Sequence, residues 1–598
     1  MEEFRDYRNV HEMLKETVER HSEDGAYQWF VADGQTVSVT WREFYDQVRQ
    51  VAKSLIALGI EKNDKVNILS YSSYRWVLTD MALMSVGAVT VGIYQSLPEA
   101  DCQYIISHSD SVLVFVEDDV QLQKMLDIRA DIPAVGRIVL LNGRAPENDW
   151  IISYEDFLAL GADGSDADCD RMIAAVAPQD TAGIVYTSGT TGVPKGAVLT
   201  HDNITFTAQS VEKSVYWEPG DHVFLFLPLA HVFARTCVYT SLLVGSTCTF
   251  NRSMDTLADD LRAARPHWFP SVPRIYEKVY AKVLSGAEAK GGLALKIFRW
   301  ACRVGEQVSD CRLGDRPIPP LTQLQYRLAT RLVFSKIQAA LGGRLRWCIS
   351  GAAPLNPEIA KFFHSAGILI LEGIGMTENT SFTNLNRYDD YRFGWVGPPG
   401  PGIEQRLGDD GEIMFRGRNV MKEYYKMPEE TTATITAAGW QYSGDLGEID
   451  DRNFLRVTGR KKELIITSGG KNIAPAAIEG LIATSLFISQ VCVIGDRRKY
   501  LSALVSLDLD NVRDYAHTRG IAFDRPEDLM NDDAVQGLID AEVQSKCAGL
   551  PSFETIKRVT IVPEFTIENG LLTPTMKLKK GLVIDRYQDI ITAMYPDD

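Results

Sequence analysis

Apolar and polar positions along the chain alternate between two periods. From Val37 a short β-rich piece leads into apolar residues at helical spacing from residue 41 to about 57, which Gly59 stops. Lys65-Val-Asn-Ile-Leu-Ser then reads as a strand, followed by another helix and the β-branched run 88–93. Strands alternating with helices predict a largely parallel, doubly wound sheet. Apolar runs at 138–141, 222–227, 346–349 and 367–371 continue the theme. Each is followed by glycine, proline or a helix start, which is where open α/β sheets place ligands. The longest nearly apolar stretch, 76–94, carries Asp80 and Gly87 between polar turns, so it is read as a core helix running into a strand rather than a membrane span.

A chain of 598 residues exceeds one compact core, and 45% hydrophobic with 24% charged residues is a globular balance. Composition shifts near residue 460, where Thr458-Gly-Arg-Lys-Lys-Glu precedes a strand and then Ser468-Gly-Gly-Lys. The predicted division is a large domain over 1–460, with a helical insertion at about 285–341, and a smaller α+β domain over 461–598. A net charge of −17 argues against a general nucleic-acid binder, because a phosphate backbone would be repelled. Nine cysteines without a CxxC pair and a charged start, MEEFRDYRNV, point to a reduced, cytoplasmic setting without a secretory signal.

One segment departs from the acidity: residues 286–346 hold eleven Lys/Arg against four Asp/Glu. Leu293, Ile297, Trp300 and Val304 are predicted to share a helical face, with Lys296, Arg299 and Arg303 elsewhere. Such a basic amphipathic pattern suits peripheral contact with the inner membrane surface. The plainer alternative is a helical pair packed on its own protein.

The chemistry concentrates in Tyr186-Thr-Ser-Gly-Thr-Thr-Gly-Val-Pro-Lys-Gly-Ala-Val-Leu-Thr-His201. Its glycines allow backbone N–H groups to approach phosphate oxygens, its hydroxyls add hydrogen bonds, and Lys195 adds a positive charge. The spacing is not that of a Walker A loop, since proline precedes Lys195 and glycine follows it. Along its whole length this loop resembles the phosphate-binding signature of the adenylate-forming superfamily of acyl-CoA synthetases, adenylation domains and firefly luciferase. The resemblance continues in order through Leu227-Pro-Leu-Ala-His-Val-Phe233, Ser350-Gly-Ala-Ala-Pro-Leu355 and Glu372-Gly-Ile-Gly-Met-Thr-Glu378. Trp440-Gln-Tyr-Ser-Gly-Asp445, Gly459-Arg-Lys-Lys462 and Leu572-Thr-Pro-Thr-Met-Lys577 complete the series.

The resemblance implies an α/β ligase fold: a large N-terminal domain of parallel and mixed sheets with flanking helices, and a small mobile C-terminal α+β domain. It implies ATP binding by Thr187, Ser188, Gly189, Thr190, Thr191 and Lys195, and an adenine-side loop at Gly351 and Ala352. Glu372, Gly373, Ile374, Gly375, Met376 and Thr377 form the acid-bearing loop, with Thr377 on the α-phosphate. Glu378 and Thr187 resemble the family's magnesium-contacting pair; one carboxylate and one hydroxyl suffice for a hard cation that keeps its waters. Asp445 would take both ribose hydroxyls through its two acceptor oxygens, and Arg460 the adjoining sugar and phosphate. Ile374 departs from the family, which usually places an adenine-stacking aromatic there.

Lys577 resembles the lysine of the first half-reaction, where an ammonium between acid and phosphate stabilises charge that grows in the transition state. Lys462 occupies the hinge position. Ser468, Gly469 and Gly470 would line a pantetheine tunnel, where a narrow channel needs backbone without side chains. His231 is read equally as a gate beside the acyl site or as a satisfied core histidine. No general base is required, because a fatty acid is already ionised near neutral pH. The expected activity is ATP-dependent formation of an acyl-adenylate, then of acyl-CoA, by a monomer or homodimer. Similarity of Val272-Pro-Arg-Ile-Tyr-Glu-Lys278, the insertion and the hinge Arg-Lys-Lys to long-chain fatty acyl-CoA synthetases points to a long acyl chain. The alternatives are a fatty acyl-AMP ligase loading a carrier protein, a ligase for short or aromatic acids, and a non-catalytic nucleotide-binding membrane adaptor.

Overall fold

The structure, a computed structural model, describes residues 3–31, 35–187, 193–218, 220–573 and 576–596. Ser188, Gly189, Thr190 and Thr191 of the glycine-rich loop lie outside the described residues.

Local sequence signals place the first helices. Trp41–Ala57 starts on a capping box, in which the Thr40 side chain accepts from the Glu43 N–H while the Glu43 carboxylate accepts from the Thr40 N–H. Its inner stripe is Trp41, Phe44, Val48, Val51 and Leu55, all buried at helical spacing. The stretch taken from sequence as a core helix running into a strand is the helix Tyr74–Val86 and the strand Val89–Ile93. Ser73 caps that helix and Gly87, at φ 78°, ends it. Apolar nearly all round, it is buried nearly all round. Among the described residues, no helix is long and apolar enough to cross a membrane.

The alternating pattern produces several sheets rather than one. The largest has eight strands, ordered Glu423–Tyr424, Lys195–Thr200, Thr181–Thr187, Val89–Ile93, Lys65–Leu69, Ser111–Val116, Arg137–Leu140 and Ile151–Ser153. It is parallel from Thr181–Thr187 to its far edge and antiparallel over the first two pairings. The run near 222 belongs to a second sheet with Thr247–Phe250, Gly25–Phe30 and Thr36–Thr40. The runs near 346 and 367 pair in parallel in a third, between Pro270–Ser271 and Asn384–Leu385. A fourth sheet, Glu404–Leu407, Glu412–Arg416, Gln441–Ile449 and Leu455–Arg460, is antiparallel throughout. A smaller C-terminal α+β part carries its own sheet, Ile488–Ile494, Leu501–Leu507 and Ile556–Ile561. Its apolar clusters, centred on residues such as Ile482, Val505, Leu504 and Phe565, contain no residue from before 465.

Between Pro270–Ser271 and Trp347–Ser350, two strands of the third sheet, the chain is helical: Pro273–Lys290, Gly292–Leu313, Pro320–Ala329, a π turn Thr330–Phe334 and Ser335–Ala340. Here the predicted apolar face is corrected. The side of Gly292–Leu313 that is buried carries Phe298, Ala301, Val304 and Val308, whereas Leu293 is exposed and Ile297 and Trp300 only half-buried. The reason is close packing against Pro357–Ser365 and the π turn. Gly305 lies so near that a Cβ there would come within 2.8 Å of the Ser365 Cβ and 2.9 Å of the Phe334 ring.

Two helices are tied at the centre by a buried ion pair. Arg235, on Val232–Val244, donates to Asp80 at 2.9 Å, and the Tyr239 hydroxyl donates to the other Asp80 oxygen at 2.7 Å. Arg235 and Asp80 are 3% and 1% exposed, so in place of water the two charges rely on each other and on the Tyr239 hydroxyl. Asp80→Ala therefore strands a buried guanidinium and is expected to cost about 3–5 kcal/mol. Chemical denaturation monitored by tryptophan fluorescence measures it; a cost below about 1 kcal/mol contradicts the dependence.

Candidate active site

Three groups of predicted residues converge at strand ends. Thr187 and Lys195 face each other across antiparallel strands at the mouth of the glycine-rich loop. The Lys195 ammonium lies 5.3 Å from the Tyr424 ring centroid and is paired with Glu430. The Tyr424 hydroxyl donates to Glu378 Oε1 at 2.5 Å. Tyr424 sits on the edge strand that pairs with Lys195–Thr200, so the sheet register itself joins the phosphate-loop lysine to the acid loop. Burial, and then the adjacent Glu378 charge, push the Tyr424 phenol well above its usual range, so it remains a donor.

The second group is the Glu372 to Glu378 segment. Strand Leu369–Ile374 carries Glu372 to its carboxyl end, and a short turn, Thr377–Asn379, follows. Gly375 admits no side chain, since a Cβ there would sit 2.0 Å from the Ser381 carbonyl oxygen. Met376 N–H donates to the Asn379 side chain at 2.8 Å, and Thr377 is buried. Ile374 packs against the cluster of Ile413, Phe415 and Leu455, which accounts for an aliphatic residue at that position. Gly351 and Ala352 follow the neighbouring strand Trp347–Ser350. A Cβ on Gly351 would meet the Phe233 ring at 3.3 Å, and Ala352 holds a left-handed φ of 71°.

The third group spans both parts of the chain. Asp445 and Arg460 are cross-strand partners, with Arg460 Nε donating to Asp445 Oδ1 at 3.0 Å. Burial raises the Asp445 carboxyl despite the opposing Arg460 charge. Lys577, from the C-terminal part, enters this neighbourhood. Burial lowers its ammonium, Arg460 lowers it further, and Asp445, Glu463 and Glu378 oppose the shift. Its backbone is fixed by a turn in which Lys577 N–H donates to Thr573 Oγ1 at 3.0 Å. Across the same junction, Arg274 of Pro273–Lys290 donates to Ser489 Oγ at 3.0 Å.

His231 begins the helix Val232–Val244, its Nδ1 accepting from the Phe233 N–H at 3.1 Å. Burial first, and then the Lys577 charge, lower the imidazole to about 4. It is neutral at physiological pH, and the acceptor role of Nδ1 places its proton on Nε2.

Not everything meets here. Lys462 lies exposed on the turn Lys461–Glu463, and Ser468, Gly469 and Gly470 form an exposed turn held by Ser468 N–H to the Arg498 carbonyl at 3.0 Å. Tyr424, Glu430 and Glu463 escaped the sequence reading, because a tyrosine or a lone acid in a charged stretch carries no spacing that marks chemistry.

A profile for AMP-binding enzymes matches residues 14–425, and one for the AMP-binding enzyme C-terminal domain matches residues 462–598. The chain is 34% identical over 585 residues to the long-chain-fatty-acid–CoA ligase FadD15 of Mycobacterium bovis, covering 96% of this chain and 95% of that one. It is 33% identical over 592 residues to the long-chain-fatty-acid–CoA ligase ACSBG2 of Homo sapiens, with 93% and 88% covered. Among solved structures it is similar to the adenylation domain of a carboxylate reductase from Mycobacterium chelonae, at TM-score 0.78, 21% identity and coverage of 98% and 91%. The anthranilate CoA ligase AuaEII in complex with anthranoyl-AMP matches at TM-score 0.74 and 19% identity, with 98% of each chain covered. At these identities the structures establish the fold.

One buried carboxyl gives a pH signature. Glu372 accepts the Gly394 N–H at 2.9 Å, yet burial outweighs this bond and raises its pKa to about 8. Its folded value exceeds the unfolded one, so its contribution is intact below the ordinary carboxylate range, about 4.3, and is lost as pH rises through about 8. Glu372→Gln keeps an acceptor for Gly394 and cannot ionise. Its thermal midpoint is expected to fall less than that of the parent between about pH 6 and pH 9; parallel curves contradict the assignment.

Proposed function

The chain belongs to the AMP-binding enzyme family, and from that premise we propose that it joins a long-chain fatty acid to coenzyme A through an acyl-adenylate. The observation that carries this reading is that Lys577, from the C-terminal part, lies within electrostatic reach of Arg460, Asp445 and Glu378 of the large part. The near full-length similarity to long-chain-fatty-acid–CoA ligases supports the acid and the acceptor.

In the first step a carboxylate oxygen of the acid attacks the α-phosphorus of ATP, a phosphorus–oxygen bond forms, and the bond to pyrophosphate breaks. Lys577 sits to stabilise the charge gathering on the phosphoryl oxygens, and desolvation makes that interaction stronger than it would be in water. Thr377 donates to the α-phosphate, Thr187 and Lys195 hold the outer phosphates with Ser188, Gly189, Thr190 and Thr191, and Asp445 with Arg460 holds the ribose. The base lies against Gly351, Ala352, Glu372, Gly373, Ile374, Gly375 and Met376. Glu378 and Thr187 would hold magnesium, a set that fits because Tyr424 engages Oε1 of Glu378 and leaves Oε2 to a hard cation. Bound there, magnesium would neutralise polyphosphate charge. In the second step the thiolate of coenzyme A attacks the acyl carbon, the carbon–oxygen bond to AMP breaks, and AMP leaves.

His231, neutral and engaged as a helix cap, shapes the acyl side without moving a proton. The two steps require different surfaces of the small domain. We place its boundary after residue 460, with the helical insertion at about 285–341 in the large domain. Lys462 is its hinge, and Ser468, Gly469 and Gly470 line the thiol path after rotation.

Pyrophosphate release is measured with acids from acetate to octadecanoate, with and without coenzyme A. Long acids are expected to give release whose turnover requires coenzyme A; a pyrophosphate burst that coenzyme A does not extend would favour a carrier-protein acceptor. Lys577→Ala is expected to lower adenylation roughly 100-fold or more, while Lys579→Ala stays near the parent. Equal losses move the role off Lys577. Lys462→Pro is expected to spare ATP–pyrophosphate exchange and to cripple thioester formation, and equal loss of both contradicts the hinge.

A further inference from the structure

The helical run Pro320–Ala329, Thr330–Phe334, Ser335–Ala340 has two apolar sides. Tyr326, Ala329, Phe334 and Ile337 are buried and belong to the core beneath it. Leu321, Leu324, Leu328 and Leu332 point the other way and are 68%, 64%, 50% and 42% exposed. At about 100° per residue, these four positions fall within roughly 80° of arc, forming a single ridge. Isolated exposed leucines are ordinary, but four on one row of one helix form a patch of the kind that marks an interaction site.

The charges around the ridge select its partner. Arg327 and Arg331 are exposed along one flank, and Lys336 is exposed at the far end on the other. From residue 316 to residue 357 the chain has six Lys/Arg and no Asp or Glu, within a protein whose net charge is −17. A second copy of the chain fits this surface poorly. Antiparallel two-fold pairing of the ridges would bring the arginine rows together, and parallel pairing would set them beside the flank that carries Lys336, with no carboxylate on this helix to offset either. An anionic bilayer meets both halves of the pattern, because its acyl region takes the leucines and its headgroups take the cations.

We propose that the leucine ridge of residues 321–332, framed by Arg327, Arg331 and Lys336, docks the protein peripherally on anionic lipid. The docking face lies on the helical segment and holds none of the residues placed in the reaction. It relocates the apolar contact expected from sequence, moving it from the helix beginning near residue 292, whose apolar side packs inward, to the next helix along.

The test is flotation of the purified full chain with vesicles of phosphatidylcholine alone, or of equal parts phosphatidylcholine and phosphatidylglycerol, without nucleotide. Flotation with the anionic vesicles only, weakened by added salt, is expected. The exposed double variant Leu324→Glu/Leu328→Glu should weaken that binding about tenfold or more, and Arg327→Glu/Arg331→Glu should do the same. Pyrophosphate release with a water-soluble acid should be unchanged in both variants, which checks their folding. Failure of the parent to float, or unchanged flotation of both variants, overturns the proposal. So does a concentration-dependent dimer, seen by light scattering, that the leucine variant abolishes, since the ridge then belongs to a second copy. Because flotation is read without ATP, its failure is separable from failure of the ligase reading.

Discussion

A half-buried ammonium needs carboxylates nearby, and Lys577 has Asp445 and Glu378 within electrostatic reach because two parts of the chain meet. Asp445, Glu463 and Glu378 favour its charge while burial and Arg460 oppose it. The balance is electrostatic and local, so a small rotation of the C-terminal part would dissolve it. Under the proposed mechanism, in which Lys577 stabilises charge in the first step and withdraws for the second, such an arrangement lets position rather than intrinsic basicity decide whether the cation acts. The hydrogen bond from Arg274 to Ser489 crosses the same junction, tying the C-terminal part to the start of the helical segment.

Sheet register does the rest of the positioning. Thr187 faces Lys195, Tyr424 lies on the next strand, and Asp445 faces Arg460, so each partner is fixed by a backbone ladder rather than by a flexible loop. Close backbone approach fixes the acid loop as well, since Gly375 sits against the Ser381 carbonyl where no side chain fits. Rigid strands deliver the groups to their carboxyl ends, and the turns beyond them carry the polar chemistry. The buried Asp80–Arg235 pair, one helical turn beyond His231, anchors the helix that this histidine begins.

Much of the architecture was legible in periodicity alone. The helix at Trp41–Ala57 and the core helix before Val89–Ile93 follow from spacing, caps and glycine stops, which are local signals. How many sheets the strands form was not, because an apolar run records burial and says nothing of which neighbour it pairs with. For the same reason the apolar side of Gly292–Leu313 was misplaced: Phe298 and Ala301 are buried because Pro357–Ser365 packs there, a contact distant in sequence. In the site, residues inside dense motifs could be named from sequence as candidates. Tyr424 and Glu463 could not, since their places beside Glu378 and Lys577 come from strand pairing and from contact between residues far apart in the chain. The resemblance to a family supplied the roles, and the geometry supplied the neighbours.

The central claim is a displacement at the α-phosphorus of ATP by the acid's own oxygen. Incubating the protein with ATP, magnesium, coenzyme A and a long-chain acid labelled with oxygen-18 in its carboxylate tests it most directly, with AMP read by mass spectrometry. The account predicts AMP carrying one labelled oxygen from each turnover. Unlabelled AMP, or formation of ADP and phosphate in its place, would contradict it.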